Sequence, residues 1–386
     1  MQRVDLRVLA VLIACMAIVG GQGMMVSPLL PDIATGLAAG IADIGYALGA
    51  YGLATAVSAL IAAKFLDRLP RRRAISAAML LLAVALSLSA TSLSPWMLGA
   101  GQALAGGCAG VLLPSVYAYA GDIAPPRERA RVVGRVLLGW SIALVAAIPA
   151  GGFLGAVIGW RGVYAVAALA AALGAAAALT LPRVARLELP PPSYRASLAI
   201  PAVVPVLLAC LADMTGFYAM YAYLGAAIRA EHAGSSGLAA IAVLAYGAGF
   251  TLAQPLGRVI DRLGAPRAMV VAMASLSAIF LLMPRALPVF PLFCVAIAAL
   301  GAVQYVALNT IVSVILAAAI ERRGAVMSLN TVVTYIGVLV GAAAMGPVFE
   351  RSGFSTVTTF SAACLALAAA AGVWLSRILR TPSPSG

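Results

Sequence analysis

The chain is poor in charge. Asp, Glu, Lys and Arg make up 10% of its 386 residues, and Lys64 is the only lysine. It has one histidine, His232, so no HExxH helix exists and any Ser-His-Asp set would rest on that single residue. No GxxxxGK[ST] loop is present, which argues against ATP-driven work by this polypeptide. The five cysteines, Cys15, Cys108, Cys210, Cys294 and Cys364, form no CxxC pair and have no metal-ligand spacing. They read as buried free thiols that pack like small hydrophobes. No metal site and no cofactor is expected.

What fills the chain instead is apolar side chain. Hydrophobic residues make up 63% of it, and its mean hydropathy is +1.06. A soluble domain cannot cover that much apolar surface, so the expected solvent is a lipid bilayer. Apolar runs of about 20 residues match a hydrocarbon core of roughly 30 Å. The net charge of +13 would suggest nucleic acid in a soluble protein. Here the bases lie in short connections between apolar runs and read as orientation signals, so no nucleic-acid partner is expected. Met1–Arg7 followed by an apolar run has the look of a signal peptide. The run is too long and no small-x-small site ends it cleanly, so it reads as an uncleaved first helix.

Twelve apolar runs can be counted. Among them, helix 1 covers about residues 8–30, helix 4 about 96–123, helix 5 about 132–158 and helix 7 about 201–228. Helix 8 covers about 238–260, helix 10 about 289–320, and helices 11 and 12 about 325–348 and 356–375. The expected fold is an all-α integral membrane protein of twelve transmembrane helices in two pseudo-symmetric six-helix bundles. Residues 1–182 form the first bundle, 183–198 a polar cytoplasmic linker with Pro190-Pro191-Pro192, and 199–380 the second bundle. Residues 381–386 read as a disordered tail. Twelve spans put both termini on one side. With that side cytoplasmic, 21 of the 25 Lys and Arg residues are inside, and only Arg161, Arg229, Arg285 and Arg351 are outside.

The two bundles follow from an internal repeat. Ala63-Lys64-Phe65-Leu66-Asp67-Arg68-Leu69-Pro70-Arg71-Arg72-Arg73 returns 194 residues later as Gly257-Arg258-Val259-Ile260-Asp261-Arg262-Leu263-Gly264-Ala265-Pro266-Arg267. Arg129-x-x-Val132 returns as Arg323-x-x-Val326, and Gly159-Trp160 as Gly353-Phe354, at the same displacement. One offset at three loops points to parallel repeats related by an axis along the membrane normal, with the substrate path between them near mid-membrane.

The Asp-Arg-Leu loops resemble the loops after the second and eighth helices of major facilitator superfamily transporters. Three stretches together look like the drug:H⁺ antiporter-1 branch. They are Leu29-Leu30-Pro31-Asp32-Ile33-Ala34, the loop Asp67-Arg68-Leu69-Pro70-Arg71-Arg72-Arg73, and Ile148-Pro149-Ala150-Gly151-Gly152-Phe153-Leu154-Gly155 with Gly159-Trp160-Arg161. Within that branch the sequence is most similar to arabinose/sugar efflux permeases. The resemblance covers essentially the whole chain and says little about substrate, because this branch exports drugs, sugars, amino acids and siderophores on one scaffold. It implies a cytoplasmic latch. Asp67 would cap the N-terminus of helix 11, and Arg71 would pair with Asp122 at the end of helix 4. Arg68 and the second-half copies Asp261 and Arg262 belong to the same set. The alternative is that these charges are solvated and only set topology, which is the favoured reading for Arg72 and Arg73. Pro149, Gly151, Gly152 and Gly155 make helix 5 kinked and closely packed, and in the resemblance they mark exporters. The sequence departs from the branch in helix 4. The branch usually has an Arg four residues before a Gly, and this chain has Gln102-Ala103-Leu104-Ala105-Gly106. A Gln holds no charge, so proton coupling through helix 4 is not implied.

Asp213 is the only acid clearly inside the membrane core. It lies 10–12 residues into helix 7, roughly 15–18 Å deep. A carboxylate there costs at least about 2.5–3.5 kcal/mol on insertion scales, so it should face a cavity or a partner. A carboxyl held near neutrality can pick up a proton on one side and release it on the other, or bind a cation. The alternative is a protonated Asp bonded to a neighbouring helix. Asp213, Phe217, Met220, Tyr221 and Leu224 share one helical face, flanked by Tyr218 and Tyr223, which suits an amphiphilic or cationic organic substrate or plain interhelical packing. Helices 1, 4, 7 and 10 line the cavity in the superfamily, so Gln22, Gln102, Gln304 and Asn309 are cavity candidates. Asn330 and Tyr335 of helix 11 join them, and Gln254 of helix 8 is a weaker one. Each could equally be an interhelical hydrogen bond.

The resulting expectation is a monomeric secondary transporter in a bacterial cytoplasmic membrane. It would export a small organic molecule by alternating access, driven by proton antiport. Import or facilitated diffusion is the alternative, and a membrane-embedded enzyme or sensor a remote one.

Overall fold

A computed structural model describes residues 5–65, 70–125, 128–183, 193–232, 236–319 and 322–378. Every regular element among them is helical. Two compact units can be distinguished, Met1–Pro191 with Leu224–Leu244, and Pro192–Tyr223 with Ala245–Gly386.

In the first unit, α1 (Leu6–Gly36) opens at Asp5, whose side chain accepts a hydrogen bond from the Arg7 amide. It runs on through Pro28 and Pro31, six residues past the expected end. α2 (Ile41–Phe65) packs on α4 (Pro95–Ile123), and α3 (Arg71–Ala90) packs on α4 and α6 (Ile148–Leu179). Ser94 caps α4 by accepting from the Met97 amide. Helix 5 of the sequence is not one regular helix. α5 (Arg129–Ile142) passes through a widened π turn at Ala143–Ala147 into α6. There the Ile148 amide reaches back to the Ala143 carbonyl. Pro149 has no N–H to continue the ladder, and this is one of the few devices that lets a helix absorb a proline. Within α6, Gly159 breaks the helix at φ 70 and ψ 165, which makes the turn expected between helices 5 and 6.

In the second unit, a short helix α7 (Tyr194–Leu198) occupies the end of the expected linker. α8 (Val203–His232) spans both units by residue range. The expected helix 8 is interrupted. α9 (Ser236–Leu252) gives way to a 3₁₀ turn at Gln254–Leu256 and then to α10 (Gly257–Leu263). Pro255 sits in that turn, and Gln254 is exposed rather than inside a span. α11 (Ala265–Ala286) packs on α12 (Phe290–Ala318) and on α13 (Arg323–Ile378). α13 holds two passes separated at Gly353, where φ is 73 and ψ −176.

Nine described helices are long and apolar enough to cross a membrane. Two of them, Arg131–Leu179 and Arg323–Ile378, each divide at a glycine of positive φ, and the shorter Gly237–Leu252 is also apolar. Dividing those two and adding the shorter helix brings nine to twelve passes. Their outer faces are apolar: Leu80, Leu81 and Val84 on α3, Leu169 and Leu173 on α6, and Leu281 and Leu282 on α11 are each more than half exposed. Such a belt is stable only against lipid.

The repeat is visible inside each unit. Gly159 and Gly353, 194 residues apart, share an extended positive-φ backbone open essentially only to glycine. Gly106 of α4 lies against the Tyr51 carbonyl of α2, and Gly301 of α12 lies against the Tyr246 carbonyl of α9. Both members of this second contact are displaced by 195 (246 − 51 and 301 − 106). A Cβ at either glycine would collide with backbone, so these crossings require glycine, as membrane helices in close contact commonly do.

Candidate functional site

Asp213 is the eleventh residue of α8, and its side chain has 0% exposure. From Asp213 to Ile228 every residue of α8 except half-buried Tyr218 is buried. The apolar/polar face read from the sequence therefore does not separate a wet side from a dry one. Both carboxylate oxygens accept from one donor, Nε2 of Gln304 on α12, at 3.1 and 3.0 Å. Gln304 is 1% exposed, and its Oε1 has no hydrogen-bond partner. Among the described residues, no Arg, Lys or His pairs with Asp213.

One turn further along α8 the aromatics pack on one another. Phe217 stacks on Tyr221 with centroids 5.4 Å apart and meets Tyr218 edge-on at 5.3 Å. Tyr246 of α9 closes on Phe217 at 5.4 Å, Phe250 follows, and Phe250 meets Tyr305 of α12 at 5.5 Å. Met220 is buried beside them in sequence. Tyr223 does something else: it donates to the Ala342 carbonyl and stacks on Phe349, which anchors α8 to α13. The reading of the sequence missed Tyr246 and Phe250. The signal lay in the repeat, since Tyr246 occupies the place that Tyr51 holds in the first unit.

The remaining candidates are dispersed. Asn309 donates back to the Tyr305 carbonyl one turn earlier in α12. Asn330 is half-buried with an unpartnered Oδ1, and Tyr335 is buried. Gln22 and Gln102 lie in the first unit and bond to each other. Gln22 Nε2 donates to Gln102 Oε1 at 2.9 Å, and Gln102 Nε2 donates to Tyr164 Oη and Ser89 Oγ at 3.2 and 3.3 Å. Ser89 and Tyr164 are further residues that the sequence reading did not select. Among the described residues, no acid takes part in this network.

Of the latch set, Asp67 and Arg68 lie outside the described residues, as does the Asp261 side chain, and Arg262 is exposed. Arg71 Nε and Asp122 Oδ2 form an ion pair at 2.5 Å, with side chains 14% and 7% exposed. Arg72 donates to the Leu181 carbonyl at 3.3 Å. Pro149, Gly151, Gly152 and Gly155 all follow the π turn at the start of α6, and Gly151 faces Met25 of α1. At the turn after Gly159, the Arg161 guanidinium lies 4.1 Å from the Trp160 ring centroid and donates to the Ser92 carbonyl.

The sequence profile of the Major Facilitator Superfamily matches residues 12–252 and 206–386. The chain belongs to the major facilitator superfamily. Superfamily relatives include YwfA, an MFS-type transporter of Bacillus subtilis, 28% identical over 90% of this chain and 87% of its own length. A chloramphenicol efflux pump of Mycobacterium tuberculosis is 30% identical over 88% of this chain and 84% of its own. Among solved structures, a bacterial homologue of the human lysosomal transporter Spinster superposes with a TM-score of 0.79 at 17% identity, covering 98% of each chain. This major facilitator protein is thus a multi-pass membrane transporter rather than an enzyme.

Proposed function

We propose that this chain is a proton-driven exporter of a small organic molecule in a bacterial cytoplasmic membrane, with both termini cytoplasmic and Asp213 as the group that carries the proton. The observation that carries this reading is a fully buried carboxyl within a transmembrane helix, partnered by a neutral amide and, among the described residues, by no cation. A permanently charged structural acid in a membrane is normally matched by a base. One matched only by an amide is suited to gain and lose a proton as its access to the two aqueous sides changes. The orientation rests on the 21 to 4 division of basic residues. The two halves that alternate are residues 1–182 and 199–380, the bounds of the repeat. The chloramphenicol efflux relatives support export and offer chloramphenicol as the first probe, and the aromatic group around Phe217 suits a ring-bearing amphiphile of that kind. As in the sequence reading, the working unit is a monomer.

The test is chloramphenicol flux into proteoliposomes under an imposed pH gradient. Wild-type protein is expected to accumulate the probe against its gradient. Asp213→Asn should lose the pH-driven component while retaining counterflow exchange. Unchanged pH-driven flux in Asp213→Asn would remove Asp213 from the coupling role.

A further inference from the structure

Gln304 makes an unequal use of its amide. Its Nε2 serves both oxygens of Asp213, and its Oε1 is buried with no partner. A buried carbonyl oxygen left unmatched has a cost, and each such group asks for a reason. The arrangement suits an ionised Asp213, both of whose oxygens accept. A protonated Asp213 carries an O–H and needs an acceptor opposite it. Gln304 Oε1 can supply one, because turning the same amide over about its last side-chain bond brings that oxygen to the carboxyl. That turn exchanges the two ends of the amide and leaves the NH₂ group where the carbonyl oxygen had been.

We infer that Gln304 is the coupling element of the pump: proton binding at Asp213 turns its amide over, and this reverses the hydrogen-bond character that Gln304 presents to a substrate. The inference rests on Asp213 being the proton carrier. In the step, a hydronium ion gives its proton to one Asp213 oxygen and leaves as water. The Nε2–H···Oδ bonds break and an Oδ–H···Oε1 bond forms. With Asp213 ionised, the free end of the amide is an acceptor and holds a substrate hydroxyl or N–H. With Asp213 protonated, the free end is a donor and the same substrate group loses its partner. Proton and substrate then exclude each other, as antiport requires, and the substrate class is a neutral organic molecule bearing a hydroxyl or amide N–H. Among the described residues, the other titratable groups about Asp213 are Cys210, one turn earlier on α8 and 3.4 Å from Thr334 Oγ1 of α13, and Tyr246 from α9. Neither is a cation that would hold the carboxylate charged. The Gln22–Gln102 pair of the first unit also leaves a carbonyl oxygen unmatched, on Gln22, but it contains no group that gains a proton and so has no switch.

The experiment is infrared difference spectroscopy of the purified full-length protein in liposomes, stepped from pH 9 to pH 5. The glutamine side-chain carbonyls carry ¹³C, and the sequence has five glutamines. Asp213→Asn identifies the carboxylic acid band, and Gln304→Leu and the closer-sized Gln304→Met identify the amide band. The expected result is a Gln304 carbonyl band that moves to lower frequency in step with the Asp213 acid band and is unmoved in Asp213→Asn. In parallel, chloramphenicol binding should weaken at least tenfold from pH 9 to pH 5 in wild type and lose that dependence in Gln304→Met. An Asp213 acid band that appears while the glutamine band stays still would overturn the switch and leave the proton reading intact. An acid band that never appears would overturn both.

Discussion

Asp32, near the end of α1, and Arg229, near the end of α8, form an ion pair at 2.5 Å across 197 residues of sequence. Both belong to the first compact unit, which takes in Leu224–Leu244. Their side chains are 28% and 33% exposed, so the pair is neither a solvated surface contact nor a dry one. Close by, Gly225 of α8 lies against the Ser27 carbonyl of α1, so the two helices touch through backbone as well as charge. Under the positive-inside orientation this contact is on the external side, opposite the Arg71–Asp122 pair.

Reversing one of these charges places like charges in contact and should lower the melting temperature of the detergent-purified protein. Arg229→Glu or Asp32→Arg alone is expected to cost about 1 kcal/mol, the upper end for partly exposed pairs. The double swap should restore most of that loss. Equal melting temperatures for the single and double variants would show that the pair contributes nothing.

The Arg71–Asp122 pair is better shielded, and breaking it is expected to cost more. Asp122→Asn leaves Arg71 largely buried without its counter-charge, a loss of about 3 kcal/mol on the scale of buried pairs with one partner removed. The double variant Arg71→Gln/Asp122→Asn should be milder than either single one. As a latch, the pair also predicts that Asp122→Asn changes disulfide cross-linking between cysteines placed across the cytoplasmic mouth. Stability loss without a change in cross-linking would make the pair purely structural.

The glycines separate two kinds of constraint. A Cβ on Gly159 or Gly353 meets nothing within 4 Å, so alanine there costs only the backbone conformation, about 1–3 kcal/mol. A Cβ on Gly106 strikes the Tyr51 backbone, so Gly106→Ala must push α2 and α4 apart. Monodisperse yield by size-exclusion chromatography is expected to fall modestly for Gly159→Ala and severely for Gly106→Ala. The reverse order would show that the α2–α4 crossing tolerates a wider spacing.

Much of this architecture was legible without coordinates. Hydropathy is carried by each residue alone and sums along the chain, so twelve apolar passes were readable from composition in windows. The offset of 194 was readable for the same reason. It led to Gly159 and Gly353, whose shared backbone conformation only glycine adopts. The place of Asp213 within its helix, the eleventh residue of α8, followed from counting residues. Departures came where one residue overrides a pattern. Pro255 cut helix 8 short of Gln254, while the kink expected at Pro149 took the form of a π turn between α5 and α6. A hydropathy window does not register a missing N–H.

What only the tertiary structure decided is which polar side chain meets which. Gln304 was one of several interchangeable amides in the sequence, and its contact with Asp213 spans 91 residues. Gln22 with Gln102, Gln102 with Tyr164, and Asp32 with Arg229 are of the same kind. Such a pair forms only when two helices have the right rotation, height and separation. Those settings come from packing along the whole of each helix, at places such as the Gly106 and Gly301 crossings, and not from the residues that form the bond. Apolar burial is non-directional and tolerates many partners, whereas a hydrogen bond needs one partner within about 3 Å at a narrow angle. The sequence by itself therefore determined the solvent, the number of passes, the repeat and the acid's position along its helix. The fold decided that the acid's partner is an amide with one end unmatched.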